Sequence, residues 1–160
     1  MGAGKNMIRG FVFMIFYVGF TIIVPFLTFT FIRNLVISGI EITLTQQSYQ
    51  NIVFWVVAFG LLISGCSFFT YSAPKQSIRR GAFALIQILI NCMYLWSYKF
   101  SGATDVEFAF TAFDGNVVVN LQQLILVYMG IYTLTVLIKV YDLADFIINR
   151  DKIRAERWEE

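Results

Sequence analysis

Four apolar stretches, residues 10–32, 52–72, 81–99 and 119–140, fill most of this 160-residue chain. Each is close to the ~20 residues that a helix needs to cross the hydrocarbon of a bilayer. Bilayer hydrocarbon offers no partner for backbone N–H and C=O groups, so stretches of this length are expected to be helical. Composition agrees: 58% of the residues are hydrophobic and 14% charged, against about 45–50% and about 25% in soluble domains. The predicted fold is an all-α membrane protein. It is a four-transmembrane-helix antiparallel bundle with a small extracytoplasmic β-sheet from the two outer loops and a long C-terminal amphipathic helix. Residues 1–160 are read as a single integral membrane domain.

The basic residues sort to one side of this layout. Ten of the 12 Lys and Arg residues lie in the N-terminus, the middle loop and the C-terminal tail; only Arg33 and Lys99 lie in the other two loops. Cytoplasmic loops retain Lys and Arg, so both termini are predicted on the cytoplasmic, or equivalent, side. That side carries ten basic and six acidic residues, the other two basic and four acidic. A net charge of +2 is too small to imply nucleic acid, whereas a basic inner face meets anionic lipid headgroups favourably. The lipid bilayer is therefore the first expected partner.

Several chemistries are excluded or disfavoured. The chain has no histidine, which removes the commonest general base and a principal metal ligand. His-dependent serine and cysteine triads go with it. The two cysteines, Cys66 and Cys92, lie in different spans. Their depths differ by roughly 9 Å at 1.5 Å rise per residue, too far for a disulfide. No cofactor, no metal and no catalytic residue is predicted.

The first apolar run continues to about Ile32, longer than a signal-peptide core, and no small-residue cleavage pattern follows; it is expected to be retained as a span. Trp55, Tyr71, Trp96, Tyr98 and Tyr141 fall near predicted interfaces, as an aromatic belt requires. In the middle loop, Pro74 is expected to stop one helix and Ser77 to cap the next, making a tight hairpin. The outer loops alternate: residues 38–45 contain Ile-Glu-Ile-Thr-Leu-Thr, and residues 106–113 read Val-Glu-Phe-Ala-Phe-Thr-Ala-Phe. Asp114-Gly115 before Asn116-Val-Val-Val119 is a hairpin signal. Three outer strands are predicted, with Phe108, Phe110, Ile40 and Ile42 on the apolar face. Beyond the fourth span, Leu143, Phe146, Ile147 and Ile153 recur at helical spacing, so the tail 141–160 is expected to continue as an amphipathic helix.

Within the spans run thin polar lines, each on one helix face by steps of three and four: Tyr17, Thr21 and Thr28; Gly60, Ser64, Ser67 and Tyr71; Gln87, Asn91, Tyr94 and Tyr98; Tyr128, Tyr132, Thr135 and Lys139. Lipid cannot satisfy these groups, so they are expected to face inward or toward a neighbouring subunit. Thr21, Gln87, Asn91, Tyr94, Tyr128, Tyr132 and Thr135 are the candidate bundle interior or pore lining. Gly60, Ser64 and Gly65 form a candidate helix-packing seam. Pro25 lacks an N–H and so frees the Thr21 carbonyl, for an ion or for a nearby hydroxyl. At the inner boundary, Lys139, Asp142 and Asp145 form a charged face that is solvated, pairs with Arg79 and Arg80 of the middle loop, or coordinates a cation.

The layout is similar to that of claudin-type proteins, with four spans, an outer sheet and both ends inside. Their first outer loop carries a Trp, Gly-Leu-Trp and paired Cys pattern; residues 33–51 hold neither Trp nor Cys, so that family's function is not carried over. The functional expectation is a non-catalytic integral membrane scaffold or accessory subunit with a protein partner. The alternative is a small homo-oligomeric channel or solute pathway lined by the polar stripes.

Overall fold

The structure, a computed structural model, describes residues 3–35, 40–43, 45–74, 77–101, 103, 105–110 and 115–149. Four helices are long and apolar enough to cross a membrane: Gly4–Asn34, Gln46–Ser72, Ile78–Ser101 and Gln122–Ile148, of 31, 27, 24 and 27 residues. Even the shortest would run about 36 Å at 1.5 Å per residue, beyond the ~30 Å of hydrocarbon. The chain is a multi-pass helical membrane protein.

The first of these helices is composite. α1, Ala3–Val18, passes through a π-helical segment, Gly19–Ile23, into α2, Val24–Asn34. The Val24 N–H donates to the Gly19 carbonyl, five residues back. Pro25 stands at the start of α2, where it can give no N–H to the preceding turn. A widened turn next to a proline is how a helix accommodates that missing bond without breaking.

α3, Gln46–Ser72, opens on Thr45, whose Oγ1 accepts from the Ser48 N–H at 3.1 Å. It ends before Pro74, and the Arg9 guanidinium from α1 closes its last turn. Arg9 Nε donates to the Tyr71 carbonyl at 2.8 Å and Nη2 to the Ala73 carbonyl at 2.9 Å. A cation on the C-terminal carbonyls of a helix satisfies orphan acceptors and opposes the helix dipole. α4, Ile78–Ser101, starts at Ser77, whose Oγ accepts from the Arg80 N–H at 3.3 Å. α5 spans Gln122–Ile148.

Packing runs mainly from the α1–α2 helix to α3, from α3 to α4 and from α4 to α5. α3 is the centre. Ile52, Val56, Gly60, Ile63, Ser64, Ser67 and Thr70 form one buried stripe along it, at the spacing of a single helix face. α5 lies at the edge: it packs on α4, and none of its residues is buried. Cys66 and Cys92 are both free.

The connections carry short strands. β1, Ile40–Thr43, pairs antiparallel with β2, Asp105–Phe110, and β2 with β3, Gly115–Asn120, in the order β1-β2-β3. The register aligns Phe108 with Ile42 and Val117, and Phe110 with Ile40 and Gly115. Asp114 of the expected Asp-Gly turn lies outside the described residues. One boundary needs correction. The fourth span was expected from residue 119, yet Val119 and Asn120 end β3. The Asn120 Oδ1 then accepts from the Gln122 N–H at 2.8 Å, which starts α5. α5 continues past the expected inner boundary to Ile148, and residues 150–160, the rest of the expected amphipathic tail, lie outside the described residues.

Candidate functional site

Three regions stand out among the described residues: a polar seam between helices, an apolar groove beside it, and a charged groove at the basic end of the molecule.

The seam begins where Gly60 meets the π segment. A Cβ at Gly60 would stand 2.3 Å from Ile22 Cγ1 and 3.2 Å from the Thr21 carbonyl oxygen. Glycine is what allows α3 this close approach. Thr21 Oγ1 donates back to the Tyr17 carbonyl at 2.7 Å. Its own carbonyl, which Pro25 cannot bond, accepts instead from the Tyr94 hydroxyl of α4 at 3.1 Å. Tyr98 then donates to the Tyr94 hydroxyl at 2.6 Å. The freed carbonyl is thus closed by a hydroxyl. Gln87 is buried, with its Oε1 3.5 Å from Thr70 Oγ1, whose proton goes to the Cys66 carbonyl at 2.9 Å. Ser64 and Ser67 are buried and turn their hydroxyls onto their own helix, at the Gly60 and Ser64 carbonyls, both 2.7 Å. Such back-bonding hides hydroxyls that lipid cannot satisfy. Asn91, one turn from Gln87, makes no hydrogen bond among the described residues.

Other candidates fall outside this seam. Gly65 has open space around it, because five helical steps turn it about 140° from Gly60. Thr28 is exposed while Pro25 and Phe29 are half-buried. The π turn holds an extra residue and so moves the inward face on by one position, and Phe29 stacks on Tyr98 at 6.0 Å. On α5, Tyr128 is 48% exposed; Tyr132 and Thr135 are half-buried, with the Thr135 hydroxyl on the Ile131 carbonyl at 2.9 Å. α5 touches the bundle through α4, which leaves Tyr128 on the outer surface rather than in an interior.

The apolar groove, about 430 Å³, lies between α3, α4 and α5 and is lined by Trp55, Phe59, Met93, Trp96 and Met129 among others. It presents no polar group for chemistry.

The basic end gathers Arg9, Arg80 and Lys139. Lys139 Nζ is 3.0 Å from Asp142 Oδ2, and Asp145 Oδ1 accepts from Asn149 Nδ2 at 2.7 Å. Arg79 is exposed. Arg80 stands over the Tyr71 ring, 5.9 Å from its centroid. Neither aspartate pairs with Arg79 or Arg80 among the described residues. A groove of about 390 Å³ opens here between α4 and α5, with Arg80, Lys139 and Asp142 in its wall. No group of three or more acidic, Cys or His residues able to hold a metal occurs among the described residues.

Three structural residues lay beyond the sequence reading. Gly10 lets α1 meet α3, where a Cβ would be 2.9 Å from the Phe68 carbonyl oxygen. Gly81 lets α5 meet α4, where a Cβ would be 2.8 Å from Leu143 Cδ1. Arg9, read only as a topology charge, caps α3. A glycine inside an apolar helix was the available signal for the first two. Comparison with known protein families, characterised proteins and solved structures finds no match to this chain.

Proposed function

We propose that the protein is a non-catalytic membrane scaffold or accessory subunit, with both termini and the basic end of the bundle on the cytoplasmic side and the three-stranded sheet on the other. The observation that carries this reading is the division of labour among the helices. Most hydroxyls of the first three spans are spent on their own helix, and the Tyr94 hydroxyl crosses from α4 to the Thr21 carbonyl. α5, in contrast, buries no residue and leaves most of its surface free for a partner helix or lipid. Interhelical hydrogen bonds of this kind are ordinary packing devices in membranes.

A second reading, a small homo-oligomeric channel, draws on Asn91, an amide within a span that lacks a hydrogen-bond partner among the described residues. The two readings separate in proteoliposomes. A scaffold conducts neither ions nor small solutes, and photo-crosslinkers at Val127 and Leu134 on α5 trap protein in the native membrane, whereas one at Leu61 on α3 traps lipid. Ion or solute flux that Asn91→Leu abolishes would replace the scaffold reading with the channel. Accessibility of single cysteines at Ser77 and Val117 tests the orientation: Ser77 should react only from the cytoplasmic side and Val117 only from the opposite side.

A further inference from the structure

We propose that the groove between α4 and α5 at the basic end binds a phosphate group, carried by an anionic membrane lipid or present in solution as inorganic phosphate. This rests on the groove itself and not on the scaffold reading. Its polar wall holds two cations, Arg80 and Lys139, and one anion, Asp142. The net charge of +1 matches the single negative charge of a phosphodiester. The donors are to hand. The Arg80 guanidinium makes no hydrogen bond or ion pair among the described residues. The Tyr71 ring at 5.9 Å steadies it without using a donor. Lys139 uses one of its three N–H groups on Asp142. A planar guanidinium offers phosphate two parallel hydrogen bonds.

The surroundings suit a headgroup. α4 begins at Ile78, beside Ser77 and Arg80 of the groove, so the positive end of its dipole adds to the two cations. Leu143 and Phe146 form an apolar wall of the same groove. Lys139 sits near the end of the apolar run, the position from which a lysine snorkels to headgroup level.

The test uses the full chain in nanodiscs of phosphatidylcholine alone or mixed equally with phosphatidylglycerol. Native mass spectrometry counts the lipids retained, and 31P NMR follows added inorganic phosphate in the phosphatidylcholine discs. Phosphatidylglycerol should be retained preferentially, and R80Q and K139Q should each weaken retention about fivefold. D142N, which keeps both cations and removes the competing carboxylate, should strengthen it. A residue with only a structural role would not give that opposite sign. Phosphate binding in phosphatidylcholine discs that R80Q abolishes, without any phosphatidylglycerol preference, assigns the site to phosphate from solution. Preference for phosphatidylglycerol without phosphate binding assigns it to the headgroup. If all three variants match the wild type in both assays, the proposal is wrong.

Discussion

The Tyr94 hydroxyl of α4 donates to the Thr21 carbonyl at 3.1 Å, supplying the hydrogen bond that Pro25 cannot. A side chain 73 positions away completes a helical turn that the local sequence leaves open. Tyr94→Phe deletes only that hydroxyl. It should destabilise the protein by about 1–2 kcal/mol, because it leaves both the Thr21 carbonyl and the Tyr98 hydroxyl without their partner. In a Pro25→Ala background the turn has its own N–H, and the same change should cost clearly less. Unfolding of the four variants in mixed micelles measures the coupling; equal costs in both backgrounds would show that the two groups act separately.

Gly60 and Gly65 make a matched pair for mutation. Gly60→Ala puts a methyl 2.3 Å from Ile22 Cγ1 and should cost about 1–3 kcal/mol as overpacking. Gly65→Ala meets nothing within 4 Å and should be neutral or stabilising by up to ~1 kcal/mol from helix propensity. Thermal unfolding in detergent separates them. Ile22→Ala, combined with Gly60→Ala, should recover part of the loss.

Arg9 grips the end of α3 through two separate nitrogens. Arg9→Lys keeps the charge but offers a point donor in place of a fork. The last turn of α3 should then fray, with faster amide exchange around Ser72 and Ala73, and Arg9→Gln should increase that exchange further. Exchange in the middle of α3 should stay unchanged in both.

The Thr70–Gln87 contact is long, at 3.5 Å. Gln87→Met fills the same space without an amide, and it should change stability by less than ~1 kcal/mol, within the modest range of interhelical hydrogen bonds in membranes. The same substitution in proteoliposomes should leave permeability at background. A loss of stability well above that range would mean that Gln87 anchors more of the bundle than this one bond.

The helices were legible because bilayer thickness fixes their length and apolarity fixes their positions. The Pro25 rule correctly singled out the Thr21 carbonyl, but its partner was not legible, since nothing local ties residue 94 to residue 21. The π segment escaped because a helix can answer a proline with a kink or with a widened turn, and the sequence does not choose between them; its effect was to place Phe29 rather than Thr28 on the inner face. The boundary at Val119 was ambiguous on physical grounds, because a Val run suits the end of a strand and the start of a span equally well. Tyr128 shows the limit of periodicity: a polar line identifies one face of a helix but not what lies opposite, and for much of α5 that is the outer surface.

The edge position of α5 bears on how the molecule is made. Every buried residue among those described, from Gly10 to Ser101, is synthesised before α5 emerges from the ribosome. The last span therefore adds its contacts on α4 to helices that are already made. A chain halted after Ser101 should insert and hold its seam, and α5 supplied separately should dock on it along α4.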